Sequence, residues 1–146
     1  MIGIIVVGHI NFASGLRSAV EAIAGEQPYI EYIDFIPGMS TEQLEIHIRQ
    51  AVEKCQTGEG ILVFTDVAGG SPCNRATAVM SDYSDIRVIT GSNLPMIANA
   101  CLERDGTTNL DELTSLIVEL GHHSIGLIDI NSLETDDKPN DMNDGL

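Results

Sequence analysis

Residues 2–7 read Ile2-Gly3-Ile4-Ile5-Val6-Val7, and the chain then turns at once to Gly8-His9-Ile10-Asn11. The apolar run is continuous, not alternating, and rich in β-branched side chains. That pattern predicts a strand buried on both faces, as in a parallel sheet. Working outward, Leu16, Ala19, Val20 and Ile23 recur at helical spacing, and Gly25 ends the pattern. Residues 29–35 form a more mixed strand suited to a sheet edge. Ser40 with Gln43 is a capping box, opening a helix whose stripe is Leu44, Ile48, Ala51, Val52 and Cys55. A buried strand follows at 60–65, then Asp66 and the loop Val67-Ala68-Gly69-Gly70. Ser71 reads as an N-cap with Pro72 at the first helical position. After a short strand at 86–90, Asn93 caps a helix over 94–104. Asn109 and Glu112 open another, with Leu110, Leu113, Ile117 and Leu120 inward and Gly121 as its stop. A last strand is expected at 125–130. Strand and helix alternate throughout, which predicts a doubly wound, mostly parallel α/β sheet with right-handed crossovers.

The chain has 146 residues, 22 Asp and Glu against 7 Lys and Arg, and a formal charge of −15. This length suits one domain, taken as residues 1–130, followed by an acidic tail at 131–146 expected to be disordered. The tail holds Glu134, Asp136, Asp137, Asp141 and Asp144 against Lys138, so it carries −4 and the body −11. At 43% hydrophobic residues, the chain is too apolar to be a disordered acidic polymer. Its charge argues against nucleic acid and against an anionic membrane surface, because both select basic footprints. No apolar run reaches the roughly 18–20 residues that span a bilayer. The N-terminus lacks a basic segment and a small-residue cleavage site, so no signal peptide is read there. Cys55, Cys73 and Cys101 have no C-x-x-C spacing and read as reduced thiols. A cytoplasmic location is expected.

Doubly wound sheets bind ligands beyond the carboxyl ends of their strands, where the strand order reverses. In a flavodoxin-like order the reversal falls between the first and third strands, and it brings His9 and Asp66 to one crevice. An imidazole titrates near neutral pH and is a competent nucleophile. A neighbouring aspartate accepts from one ring nitrogen, fixes the tautomer and leaves the other lone pair free. Gly69 and Gly70, opening a helix at Ser71, offer backbone N–H groups and a positive dipole end to an anion. Together these describe phosphoryl transfer through a phosphohistidine. Each piece also has an ordinary structural reading: a hydrogen-bonded loop histidine, a capping aspartate, a tight turn. His47 is assigned to the surface, and His122 and His123 to a helix end. Arg17 and Arg75 are taken as solvated side chains near the crevice, and Cys73 as packing. The G-x-x-x-x-G-K-[ST] and G-x-G-x-x-G signatures are missing, aromatic residues for flavin stacking are few, and no metal-ligand cluster stands beside His9.

Three motifs, each placed after a predicted strand, carry a resemblance: G-H-x-x-F-A-x-G at 8–15, T-D-x-x-G-G-S-P-x-N at 65–74 and G-x-N-L-P-M at 91–96. The chain resembles the IIA component of the mannose-class sugar phosphotransferase system over about residues 1–130. The stretch from Gly15 to Gly25 and the strand end Ile33-Asp34-Phe35 lean toward the N-acetylgalactosamine or galactosamine branch. The resemblance implies that His9 is the phosphorylated residue, charged by the phosphocarrier HPr and discharged to a histidine of the IIB component. IIB then serves the IIC and IID membrane proteins. It implies that Asp66 hydrogen-bonds the histidine and that the Ser71 hydroxyl lies close to the phosphoryl group. It also implies a flavodoxin-like fold and a homodimer that exchanges the final strand, here 125–130. No metal or cofactor is implied. Two positions depart from the family pattern: Ile10 stands where glycine often follows the histidine, and Cys73 where an aromatic residue is common. Because the sequence stops at Leu146, IIB is expected on a separate polypeptide. Rival readings are a IIA-like donor to dihydroxyacetone kinase, a regulatory module read by its phosphorylation state, and a flavodoxin-type small-molecule binder.

Overall fold

The apolar run of residues 2–7 becomes β1 (Gly3–His9), the second of four parallel strands. The computed structural model describes residues 1–131. In chain order the elements are β1, α1 (Phe12–Ala24), β2 (Ile30–Phe35), α2 (Thr41–Cys55), β3 (Ile61–Thr65), α3 (Ser71–Met80), β4 (Ile86–Ile89), α4 (Leu94–Glu103), a 3-10 turn at Arg104–Gly106 and α5 (Leu110–His123). The sheet order is β2-β1-β3-β4, so the chain reverses direction across the sheet between β1 and β3. In register, His9 lies opposite Phe35 and Val7 opposite Thr65.

Period-two alternation divides the strands between two cores. Ile4, Val6, Leu62 and Phe64 face α1, α4 and α5, where they meet Val20, Ile97, Leu113 and Ile117. Ile5, Val7, Ile61 and Val63 face α2 and α3, against Leu44, Ile48, Val52 and Val79. The predicted stripe of α2 is buried in full, and its capping box is formed at both hydrogen bonds. Asn93 and Asn109 cap α4 and α5 as the sequence predicts, and Gly25, at φ 75°, ends α1.

Three expectations need correction. Residues 125–129 take no regular structure and pair with no strand, so the final strand is not part of this chain's sheet. Ile125, Leu127, Ile128 and Ile130 are all exposed; a strand needs pairing along an edge and burial of one face, and residues 125–129 make neither. Gly121 does not stop α5, which runs on to His123. Its role is close packing, since a Cβ there would stand 2.6 Å from Met96 Sδ of α4. Ser71 is the first residue of α3 rather than its cap. Gly70 takes the cap position, with no side-chain hydrogen bond. The predicted tail lies outside the described residues except for Asn131.

At the amino ends of the strands, Arg104 is fully buried. Its guanidinium binds the carbonyls of Ile2, Pro28 and Tyr29 and the side-chain oxygen of Gln27. Among the described residues, Tyr29 is one of two non-glycine residues with positive φ, at 52°, and this clamp holds its carbonyl. The outer edge of β4 is open. A groove of about 490 Å³ runs beside it, lined by Val88, Met96, Val118, His122 and Ile125 among others.

Candidate active site

His9 is the last residue of β1, where the strand still pairs with β2 at Phe35 but no longer with β3, and its ring reaches the rim. Asp66 follows β3 directly, and the β1–β3 pairing carries both to the same point. The Asp66 Oδ2 accepts from the His9 backbone N–H at 2.8 Å and meets the His9 Nδ1 at 2.7 Å. Its other oxygen, Oδ1, accepts from the Val67 N–H at 2.8 Å. An ionised carboxylate only accepts, so Nδ1 carries the proton, and in the neutral ring Nε2 is then the nitrogen with the lone pair. Burial pushes the Asp66 carboxyl up. The His9 N–H, the His9 ring and the Val67 N–H outweigh that and hold it below the usual carboxylate range.

Two more contacts fix the ring. Phe35 meets it edge-on, with centroids 6.0 Å apart and planes at 64°. On another side lies Gly70, where a Cβ would come within 2.8 Å of His9 Cε1 and 3.6 Å of Nε2. Glycine there keeps the edge of the ring at Nε2 clear. Gly69 has a different task, since its φ of 79° is a left-handed conformation that side chains resist.

Of the two glycine amides singled out in this loop, the Gly70 N–H turns back onto the Val67 carbonyl at 3.3 Å. In the first turn of α3 the N–H groups of Ser71 and Cys73 have no acceptor within the helix, and Pro72 between them has none to give. Cys73 is half-buried beside them. Burial pushes its thiol up, but the polar groups of Thr65, Gly69, Thr90 and Thr77 around it together bring it below its ordinary value.

The other singled-out residues stand apart from His9. Arg17 pairs with Glu21 at 2.7 Å and lies over the Tyr32 ring, and Arg75 pairs with Glu45 at 3.3 Å. His47, His122 and His123 are exposed, and the His123 Nδ1 meets the Glu119 carbonyl at 2.9 Å. Reading the sequence missed Phe35 and Asp34. Asp34 Oδ1 accepts from the Ser14 N–H at 2.9 Å, so β2 rather than Asn11 supplies the side-chain cap of α1. The only available signal was that both sit at the carboxyl end of β2, and it becomes legible once the register with β1 is known.

This arrangement has relatives. The chain is 35% identical over 124 residues to the mannose-specific EIIAB component of the phosphotransferase system of Escherichia coli K12, a match covering 85% of this chain and 38% of that protein. The chain thus spans well under half the length of that relative. It is 30% identical over 117 residues to the sorbose-specific EIIA component of Lacticaseibacillus casei, covering 80% of this chain and 83% of that one. The crystal structure of phosphotransferase system component EIIA from Streptococcus agalactiae aligns with a TM-score of 0.81 at 36% identity, over 90% of this chain and 99% of that chain. The family model for the PTS system fructose IIA component, EIIA-man, matches residues 3–118, from β1 into α5. The chain belongs to the EIIA-man family of phosphotransferase-system IIA components.

Proposed function

We propose that the chain is a phosphoryl carrier of the sugar phosphotransferase system, phosphorylated on His9 Nε2 by phospho-HPr and discharged to a IIB component. One observation carries this reading: Asp66 holds Nδ1 at 2.7 Å while Gly70 leaves the Nε2 edge uncovered. The sugar is handled beyond IIB. The relatives named for mannose and sorbose therefore leave it open, and the N-acetylgalactosamine branch rests on the motif likeness alone.

Transfer follows from the geometry. The Nε2 lone pair attacks phosphorus as the donor's N–P bond breaks, and the bonding pair returns to the donor nitrogen. A donor ring protonated on its other nitrogen leaves as neutral imidazole. The phosphorylated His9 keeps its Nδ1 proton, and the Asp66 carboxylate faces the positive charge this creates. In this reading the Ser71 hydroxyl and the first-turn N–H groups of α3 take the equatorial oxygens, and positioning and charge stabilisation do the catalytic work. We place the homodimer here as well: the exposed Ile125, Leu127, Ile128 and Ile130 are what a strand exchanged onto the open edge of a partner's β4 would bury.

The test is incubation with phosphoenolpyruvate, enzyme I and HPr, then mapping of the label. Acid-labile phosphate on His9, absent from His9→Ala, is the expected result. Label persisting on His9→Ala overturns the assignment.

A further inference from the structure

Ile10, directly after His9, lies at φ 52°. That conformation is costly for a β-branched residue, whose Cβ crowds the following carbonyl. The other such residue, Tyr29, has its carbonyl clamped by buried Arg104. Ile10 makes one comparable contact, its N–H donating to the Phe35 carbonyl at 2.9 Å, and a glycine would make the same bond without the strain. Nor does burial offset the strain, because the Ile10 side chain is 51% exposed. Among the described residues nothing explains an isoleucine here.

Its surroundings supply the missing reason. Ile36 follows the end of β2, Val67 lies two residues past the end of β3, and both are about half exposed like Ile10. The strand order β2-β1-β3 places the three on adjacent strand ends, with His9 in the middle. Isolated exposed apolar residues are ordinary, but three at the strand ends on either side of His9 are not isolated along the sheet. Charge narrows the partner: Asp34 and Asp66 lie at this same end, and the chain as a whole carries −15.

We infer that Ile10 is a specificity-determining contact that, with Ile36 and Val67, receives the apolar centre of a basic-rimmed face on the protein that donates the phosphoryl group to His9. The inference rests on the proposed function and adds which residues select the partner. Strain at Ile10 is retained because the side chain is used in the complex, where it is desolvated, and not in the free protein.

The experiment measures phosphoryl transfer from phospho-HPr to the full chain and to its Ile10→Gly and Ile36→Ser variants, with thermal unfolding alongside. Ile36→Ser leaves the loop after His9 untouched and so separates partner contact from loop geometry. Expected are a Tm raised by a few degrees in Ile10→Gly, and KM raised about tenfold in both variants with kcat nearly unchanged. An unchanged KM in both variants overturns the inference. So does a fall in kcat at constant KM, which would make Ile10 a prop for His9. A wild-type chain that takes no label from phospho-HPr overturns the proposed function itself, a result distinct from either of these.

Discussion

At His9, one carboxylate oxygen does two jobs, since Asp66 Oδ2 accepts from both the backbone and the ring of the same residue. The backbone bond fixes where the strand ends; the ring bond fixes which nitrogen is free. An asparagine offers one acceptor oxygen and would turn an N–H donor toward Val67 or His9. Asp66→Asn is therefore expected to slow phosphorylation of His9 by about 100-fold or more, read as initial rate with phospho-HPr. It also changes stability in a pH-dependent way. The folded carboxyl is held below its ordinary value, so its contribution is complete above the unfolded pKa of about 3.9 and is lost as pH falls through the lower folded value. Urea unfolding at neutral pH should show the variant about 1–2 kcal/mol less stable, with the gap closing toward pH 3. A gap that stayed constant with pH would contradict the charge argument.

Elements in this chain are set by local chemistry, with a few tight contacts deciding how they meet. Ser40, Asn93 and Asn109 were legible as caps because a capping side chain bonds an N–H two or three residues on, within reach of any sequence reading. The cap of α1 was not, because Asp34 reaches Ser14 from a different strand. Ser71 misled for a related reason: a serine before a proline suits either the cap or the first turn, and the left-handed Gly69 brings the loop in one residue earlier. Gly3 marks where β1 and α2 touch, since a Cβ there would come within 2.4 Å of the Cys55 carbonyl oxygen and 2.9 Å of Cys55 Cβ. Backbone cannot yield as a flexible side chain does. Gly3→Ala should cost about 3 kcal/mol in chemical denaturation, while wild-type stability in that variant would mean that α2 shifts freely on the sheet.

For the molecule as a whole, the two-faced core leaves one feature unfinished. The edge of β4 and its groove are open, while four apolar side chains of residues 125–130 are exposed nearby in sequence. Open parallel edges beside an apolar groove invite a strand from elsewhere. Truncation after Ser124 is expected to convert a dimer into a monomer in sedimentation velocity, with greater exposure of the groove to an apolar dye. A dimer that survives truncation would place its interface on another surface. Among the described residues no helix is long and apolar enough to cross a membrane.

The sequence alone determined the strand–helix alternation, the buried faces, most caps and the identity of His9 and Asp66 as the pair to watch. All of these follow from periodicity, short-range hydrogen bonding and the position of polar residues after apolar strands. Only the tertiary structure decided that one aspartate oxygen holds both the backbone and the ring of His9, that Gly70 clears the Nε2 edge, and that Gly121 packs where it was read as a stop. It also showed that Ile10 is strained and that residues 125–129 lie off the sheet. The reason is physical. A residue's spacing along the chain constrains its own face, whereas approach distances, backbone strain and partner edges depend on residues far off in sequence, as His9 and Asp66 are at 57 positions apart.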